Sequence, residues 1–128
     1  GRPLVNERIT GEIHGEVLEQ PDFTPEQYES LSRLVAALHV ALPKIELTYP
    51  KDAEGKLLTR NLSDEELKNF RGVLGHYHVQ DDKTDPGPAM RWEMIIERAK
   101  AYVEGRRVPV LEAETWTAAQ GSDPRTTN

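Results

Sequence analysis

The chain reads as an α/β domain in which helices flank a mixed central sheet, and three features predict this. Thr24–Leu42 and the stretch from Ala89 to Val103 both repeat apolar residues at helical spacing. Ile9–Val17 alternates in the manner of a strand, and Gly72–Val79 is a short, largely apolar run of strand length. Strands are nonetheless few, so the chain is expected to supply only part of the sheet that such helices would cover.

Taken in order, Ile9, Gly11, Ile13, Gly15 and Val17 keep a period of two, which predicts one short strand or hairpin arm. Thr24 suits a helix N-cap, with Pro25 at the first helical position and Gln27 at the third, the spacing of a capping box. Phe23 and Tyr28 stand where a hydrophobic staple forms. Tyr28, Leu31, Leu34, Val35, Leu38, Ala41 and Leu42 then make one apolar stripe, and Pro43 stops the helix. Residues 43–62 form a long connection with a turn at Lys51–Gly55. Ser63 and Glu66 repeat the capping-box spacing and open a short helix to about Phe70. Gly72–Val79 is expected to be a buried strand ending in two histidines. A stiff loop, Gln80–Pro88, leads to a second amphipathic helix with Trp92, Ile95, Ile96, Ala99, Tyr102 and Val103 on one face and Gly105 as its C-cap. Ala118–Asn128 is polar and disorder-prone, giving a division into a domain over 1–105 and an extended tail over 106–128.

Composition bounds the function. The 128 residues carry 16 Lys+Arg against 22 Asp+Glu, a formal charge of −6, so the chain as a whole does not attract nucleic acid or anionic lipid. No run approaches the ~18 apolar residues of a membrane span. With no cysteine, disulfide frameworks, thiol nucleophiles and thiolate metal sites are excluded. Gly1 follows neither an initiator Met nor a signal segment, and reads as a cut point.

The residues able to do chemistry lie between Gly75 and Pro88. His76 offers an imidazole nitrogen, and nine residues on Asp85 offers a carboxylate, a donor pair suited to Zn²⁺. If 83–85 runs extended, Lys83 shares a face with Asp85. A metal polarises a carbonyl, and a neighbouring cation steadies the oxyanion that develops, which together suit hydrolysis of an amide or ester. Asp85-Pro86 and Gly87-Pro88 restrict the backbone on both sides of the carboxylate. The competing readings are a solvated surface pair for His76 and Asp85, and a surface charge for Lys83. His78 is expected to face solvent, His39 to be partly packed beside its helix stripe, and His14 has no partner visible in the sequence.

The run Gly75-His76-Tyr77-His78-Val79-Gln80-Asp81-Asp82-Lys83-Thr84-Asp85-Pro86-Gly87-Pro88-Ala89-Met90-Arg91-Trp92 resembles the C-terminal signature of zinc-dependent N-acetylmuramoyl-L-alanine amidases of the amidase-2 type, which share their fold with peptidoglycan recognition proteins. Asp22–Tyr28 and the helix after it are similar to the same family, and the likeness spans roughly residues 20–103. The resemblance implies His76 and Asp85 as two zinc ligands, Lys83 as the oxyanion-stabilising residue, and cleavage between N-acetylmuramic acid and L-alanine of the stem peptide. Its implied partner is peptidoglycan or a soluble muropeptide, in the cell envelope or in cytoplasmic recycling. His78 stands where the family usually has Asp. The family's first zinc ligand, a histidine on an early strand, and the acidic or tyrosine group assisting water have no match, so the isolated chain is expected to hydrolyse muramoyl-peptides poorly or not at all. A non-catalytic peptidoglycan-binding module of the same fold is the alternative.

Overall fold

A computed structural model describes residues 8–112. It is a small mixed α/β arrangement in the order β1 (Arg8–Ile13), β2 (Glu16–Pro21), α1 (Pro25–Ala41), α2 (Asp64–Asn69), α3 (His76–Val79) and α4 (Trp92–Glu104). Of the tail expected over 106–128, residues 106–112 are described, with Leu111 packed against the core and Pro109 C=O accepting from Arg98 at 2.8 Å, and the rest lies outside the described residues.

β1 and β2 form a two-stranded antiparallel hairpin, with Arg8 opposite Pro21 and Ile13 opposite Glu16. The two-residue turn is His14-Gly15, with φ of 54° and 77°, the positive pair that a tight hairpin of right-handed twist demands. The turn ends the alternation expected to run on to Val17. Gly11 pairs with Leu18, so the inward face passes from odd positions on β1 to even positions on β2, and Val17 is left 72% exposed.

α1 begins as its local signals dictate. Thr24 accepts from the Gln27 N–H, Gln27 Oε1 accepts from the Thr24 N–H, and Phe23 meets Tyr28 edge-on at 5.7 Å. A cap of this kind is worth ~1 kcal/mol. The buried face, however, is Tyr28, Ser32, Val35 and Ala36, while Leu34, Leu38 and Leu42 of the expected stripe are exposed. The small residues let α1 and α4 pack together, and Ser32 satisfies its hydroxyl on Tyr28 C=O at 2.7 Å. The helices therefore bury their apolar faces mainly on each other and on loops rather than on a broad sheet.

α4 starts at Trp92, three residues later than Ala89. The start of the segment is held elsewhere: Tyr28 Oη lies 2.9 Å from Ala89 C=O and 2.7 Å from Asp22 Oδ1, and Arg91 Nη2 donates to Asp22 Oδ2 at 2.6 Å. The Asp22 and Arg91 side chains are both fully buried. Gly105 closes the helix in the left-handed conformation, φ 70°, as its sequence position predicts.

The long connection wraps the core instead of hanging free. Tyr49 and Leu62 are buried, Lys51 and Leu57 form a bridge, and Asp52 Oδ1 accepts from the Glu54 and Lys56 N–H groups. The core gathers Ile13, Tyr28, Val35, Tyr49, Tyr77, Trp92, Ile95, Ile96 and Ala99. Among the described residues, no helix is long and apolar enough to cross a membrane.

Candidate functional site

Gly75 determines how the site closes. Its backbone is extended (φ −89°, ψ 163°), and a Cβ there would stand 2.8 Å from Pro86 Cδ and 3.1 Å from Trp92 Cζ2. Only a residue without a side chain lets the Pro86 ring rest against the chain at this point. The Tyr77 N–H then donates to Asp85 C=O at 3.2 Å. On the far side, a Cβ on Gly11 of β1 would come within 2.7 Å of Pro88 Cβ, the close approach that glycine in a strand often marks. Gln20 Oε1 accepts from the Ala89 N–H at 2.7 Å. The hairpin thus backs the Pro86–Pro88 turn, and that turn presses Asp85 towards His76.

The two predicted ligands do meet. His76 Nδ1 lies 3.2 and 3.3 Å from the two Asp85 carboxylate oxygens, and its Nε2 lies 2.6 Å from Gln80 Oε1. Both side chains are open to solvent, 43% and 69% exposed. An amide oxygen only accepts, so Nε2–H donates to Gln80, and Nδ1 meets the Asp85 carboxylate, itself an acceptor, only through a proton or a cation between them. A neutral imidazole nitrogen beside a carboxylate oxygen, with the other ring nitrogen anchored by an outer partner, is a donor arrangement that zinc uses. Among the described residues, no group of three or more His, Cys, Asp or Glu side chains is placed to hold a metal; the pair fits two corners of a tetrahedral set.

Lys83 sits on the same loop and is exposed. The expected extended run is not formed: residues 81–85 are turn and irregular loop, with Lys83 N–H reaching back to Gln80 C=O at 3.4 Å. The alternation that would put Lys83 and Asp85 on one strand face does not apply here, although the two residues remain neighbours on one loop.

His78 corrects the sequence reading most sharply. Gly72–Val79 is not a strand; its last four residues make the single turn α3, which swings the His78 ring inward to complete burial. The ring lies 4.2 Å from Tyr77 and 5.5 Å from Trp92 between centroids. Nδ1 accepts from the Gly75 N–H at 2.9 Å, so the Nε2–H donates to Leu58 C=O at 2.7 Å. Burial pushes its pKa below the ordinary histidine value, the Leu58 carbonyl opposing. With both nitrogens occupied, His78 pins the backbone next to His76 and offers no ligand.

His39 is half-buried and 2.6 Å from Ile45 C=O through Nδ1, as its place beside the helix stripe predicts. His14, without a visible partner in the sequence, reaches across the fold to Lys83 C=O at 2.8 Å through Nε2 and meets the Tyr77 ring edge-on at 6.2 Å. Gln80 also escaped the sequence reading. Its relation to His76 is the i, i+4 contact of a helix, which a strand assignment hides.

No family model matches the chain, and no curated protein and no solved structure does so either.

Proposed function

We propose that this chain carries two of the zinc ligands of a peptidoglycan amidase of the amidase-2 type, within the C-terminal portion of that fold. The observation that carries the reading is His76 Nδ1 set 3.2 Å from the Asp85 carboxylate while Gln80 Oε1 holds the opposite ring nitrogen. The Lys-Thr-Asp-Pro-Gly-Pro run at 83–88, similar to that family's signature, supports the substrate: the amide between the lactyl group of N-acetylmuramic acid and L-alanine. Zinc, when bound, supplies Lewis acidity to the amide carbonyl and to water. His76 and Asp85 would hold it, with Gln80 keeping Nε2 protonated so that Nδ1 is the nitrogen left to ligate, and Lys83, on the same loop, is the residue that the family likeness assigns to steadying the oxyanion. The substrate implies action in the cell envelope or on soluble muropeptides.

Two ligands are fewer than the three that catalytic zinc sites ordinarily use, so the chain alone is expected to bind zinc weakly and to turn over a muramoyl-L-alanyl peptide poorly. Zinc titration by calorimetry tests the site. Wild type should bind one equivalent, and His76→Ala and Asp85→Ala should each weaken binding at least tenfold. Equal affinity in all three proteins would remove the metal reading, and muropeptide binding by a chain indifferent to zinc would point instead to a non-catalytic wall-binding module.

A further inference from the structure

We infer that His14 is a positioning residue for the Lys83–Asp85 segment, a role that rests on the amidase reading above. His14 is the one non-glycine residue with positive φ among the described residues, at 54°. Hairpin turns of this geometry favour Asn, Asp or Gly at that place, and a strained backbone held by its surroundings points to a task. The surroundings identify it. The His14 N–H donates to Thr59 C=O at 2.8 Å, which ties the turn to the long connection. Its Nε2 lies 2.8 Å from Lys83 C=O, 69 positions away, and a carbonyl only accepts, so His14 donates. The ring stands edge-on to the buried Tyr77, which fixes its direction.

The other backbone hydrogen bonds of residues 83–85 are long. Lys83 N–H to Gln80 C=O is a long 3.4 Å, and Asp85 C=O takes the Tyr77 N–H at 3.2 Å. His14 thus fixes the peptide between the proposed oxyanion cation and the proposed ligand Asp85, and does so from the hairpin that also backs Pro88. Ligands held in place before metal arrives bind it more tightly than ligands that must be ordered.

The test uses His14→Asn and His14→Gly, which suit the turn at least as well as histidine but cannot reach Lys83. The exchange rate of the Tyr77 amide, measured by NMR without metal, reports the docking of Asp85; zinc calorimetry reports the site; thermal melting reports the fold. With melting unchanged or raised, both variants should exchange the Tyr77 amide roughly tenfold faster and bind zinc roughly tenfold more weakly, the worth of one hydrogen bond. Unaltered Tyr77 exchange in both variants overturns the positioning role whatever zinc does. Faster exchange, with zinc binding that neither His76→Ala nor Asp85→Ala affects, upholds the loop anchor and instead rejects the metal reading on which its purpose rests.

Discussion

Gly75→Ala tests whether packing against one backbone position sets the geometry of the pair. The φ and ψ at Gly75 are open to alanine, so the effect is steric. The added methyl meets Pro86 Cδ at 2.8 Å, and ordinary contact begins near 3.4 Å, so a gap of about 0.6 Å must open. Trp92 cannot give way easily, being 6% exposed and packed against Tyr49, Tyr77 and His78. Pro86 therefore moves, and Asp85 with it. Overpacking costs about 1–3 kcal/mol, and the stiffer unfolded chain returns about 0.4–1 kcal/mol, leaving a net loss of about 1.3 kcal/mol at mid-range and at most about 2.6 kcal/mol. Urea unfolding should show the midpoint falling by roughly 0.5–1 M, and zinc affinity should fall about tenfold as the carboxylate leaves His76. A Gly75→Ala protein with unchanged stability and unchanged zinc affinity would show that the loop is not docked as described.

Three further outcomes follow from buried and capped groups. Arg91→Ala leaves the Asp22 carboxylate in the core without its 2.6 Å ion-pair partner and should cost about 3–5 kcal/mol in urea unfolding, whereas loss of the exposed Arg8–Glu19 pair should cost under ~1 kcal/mol. His78 is neutral in the fold with its pKa lowered by burial. The unfolded chain therefore binds the extra proton first, and stability should decline as pH falls below the ordinary 6.5; an NMR titration should show the His78 ring taking up its proton only below that value. Arg60 and the Ser63 backbone hold Glu66 down from 4.5 to about 2, so its contribution to the α2 cap is complete above the ordinary value and lost as pH drops towards 2. Glu66→Gln should flatten that part of the acid-unfolding profile.

Helix ends marked by a capping box or a C-cap glycine were legible because those signals are local, whereas the start of α4, which has no side-chain cap, was not. The Thr24/Gln27 and Ser63/Glu66 boxes form as spaced, and Gly105 caps α4. What escaped the sequence depends on contacts between distant segments. An apolar run at 72–79 is compatible with either strand or helix, and α3 owes its one turn to Gly75, Leu58 and Asp85, which receive or supply the hydrogen bonds of His78 and Tyr77. Hydrophobicity ranks Leu34 and Leu38 above Ser32 and Ala36, yet close approach to α4 selects the small residues. Residue type and spacing named His76 and Asp85 as candidates but left a solvated surface pair as the competing reading, and the family likeness of residues 83–88 singled them out. Gln80 and His14, which orient the imidazole and anchor the loop, were not legible, since one depends on a helical turn and the other on a hairpin 69 positions away.

The protonation of the His76 ring, read by long-range ¹H–¹⁵N NMR with and without zinc, tests the account where it is most exposed. The account predicts Nε2 protonated and shared with Gln80 throughout, and an Nδ1 resonance that moves as zinc takes its lone pair. A neutral ring protonated at Nδ1, donating to Asp85 and indifferent to zinc, would contradict it and reduce His76 and Asp85 to a hydrogen-bonded surface pair.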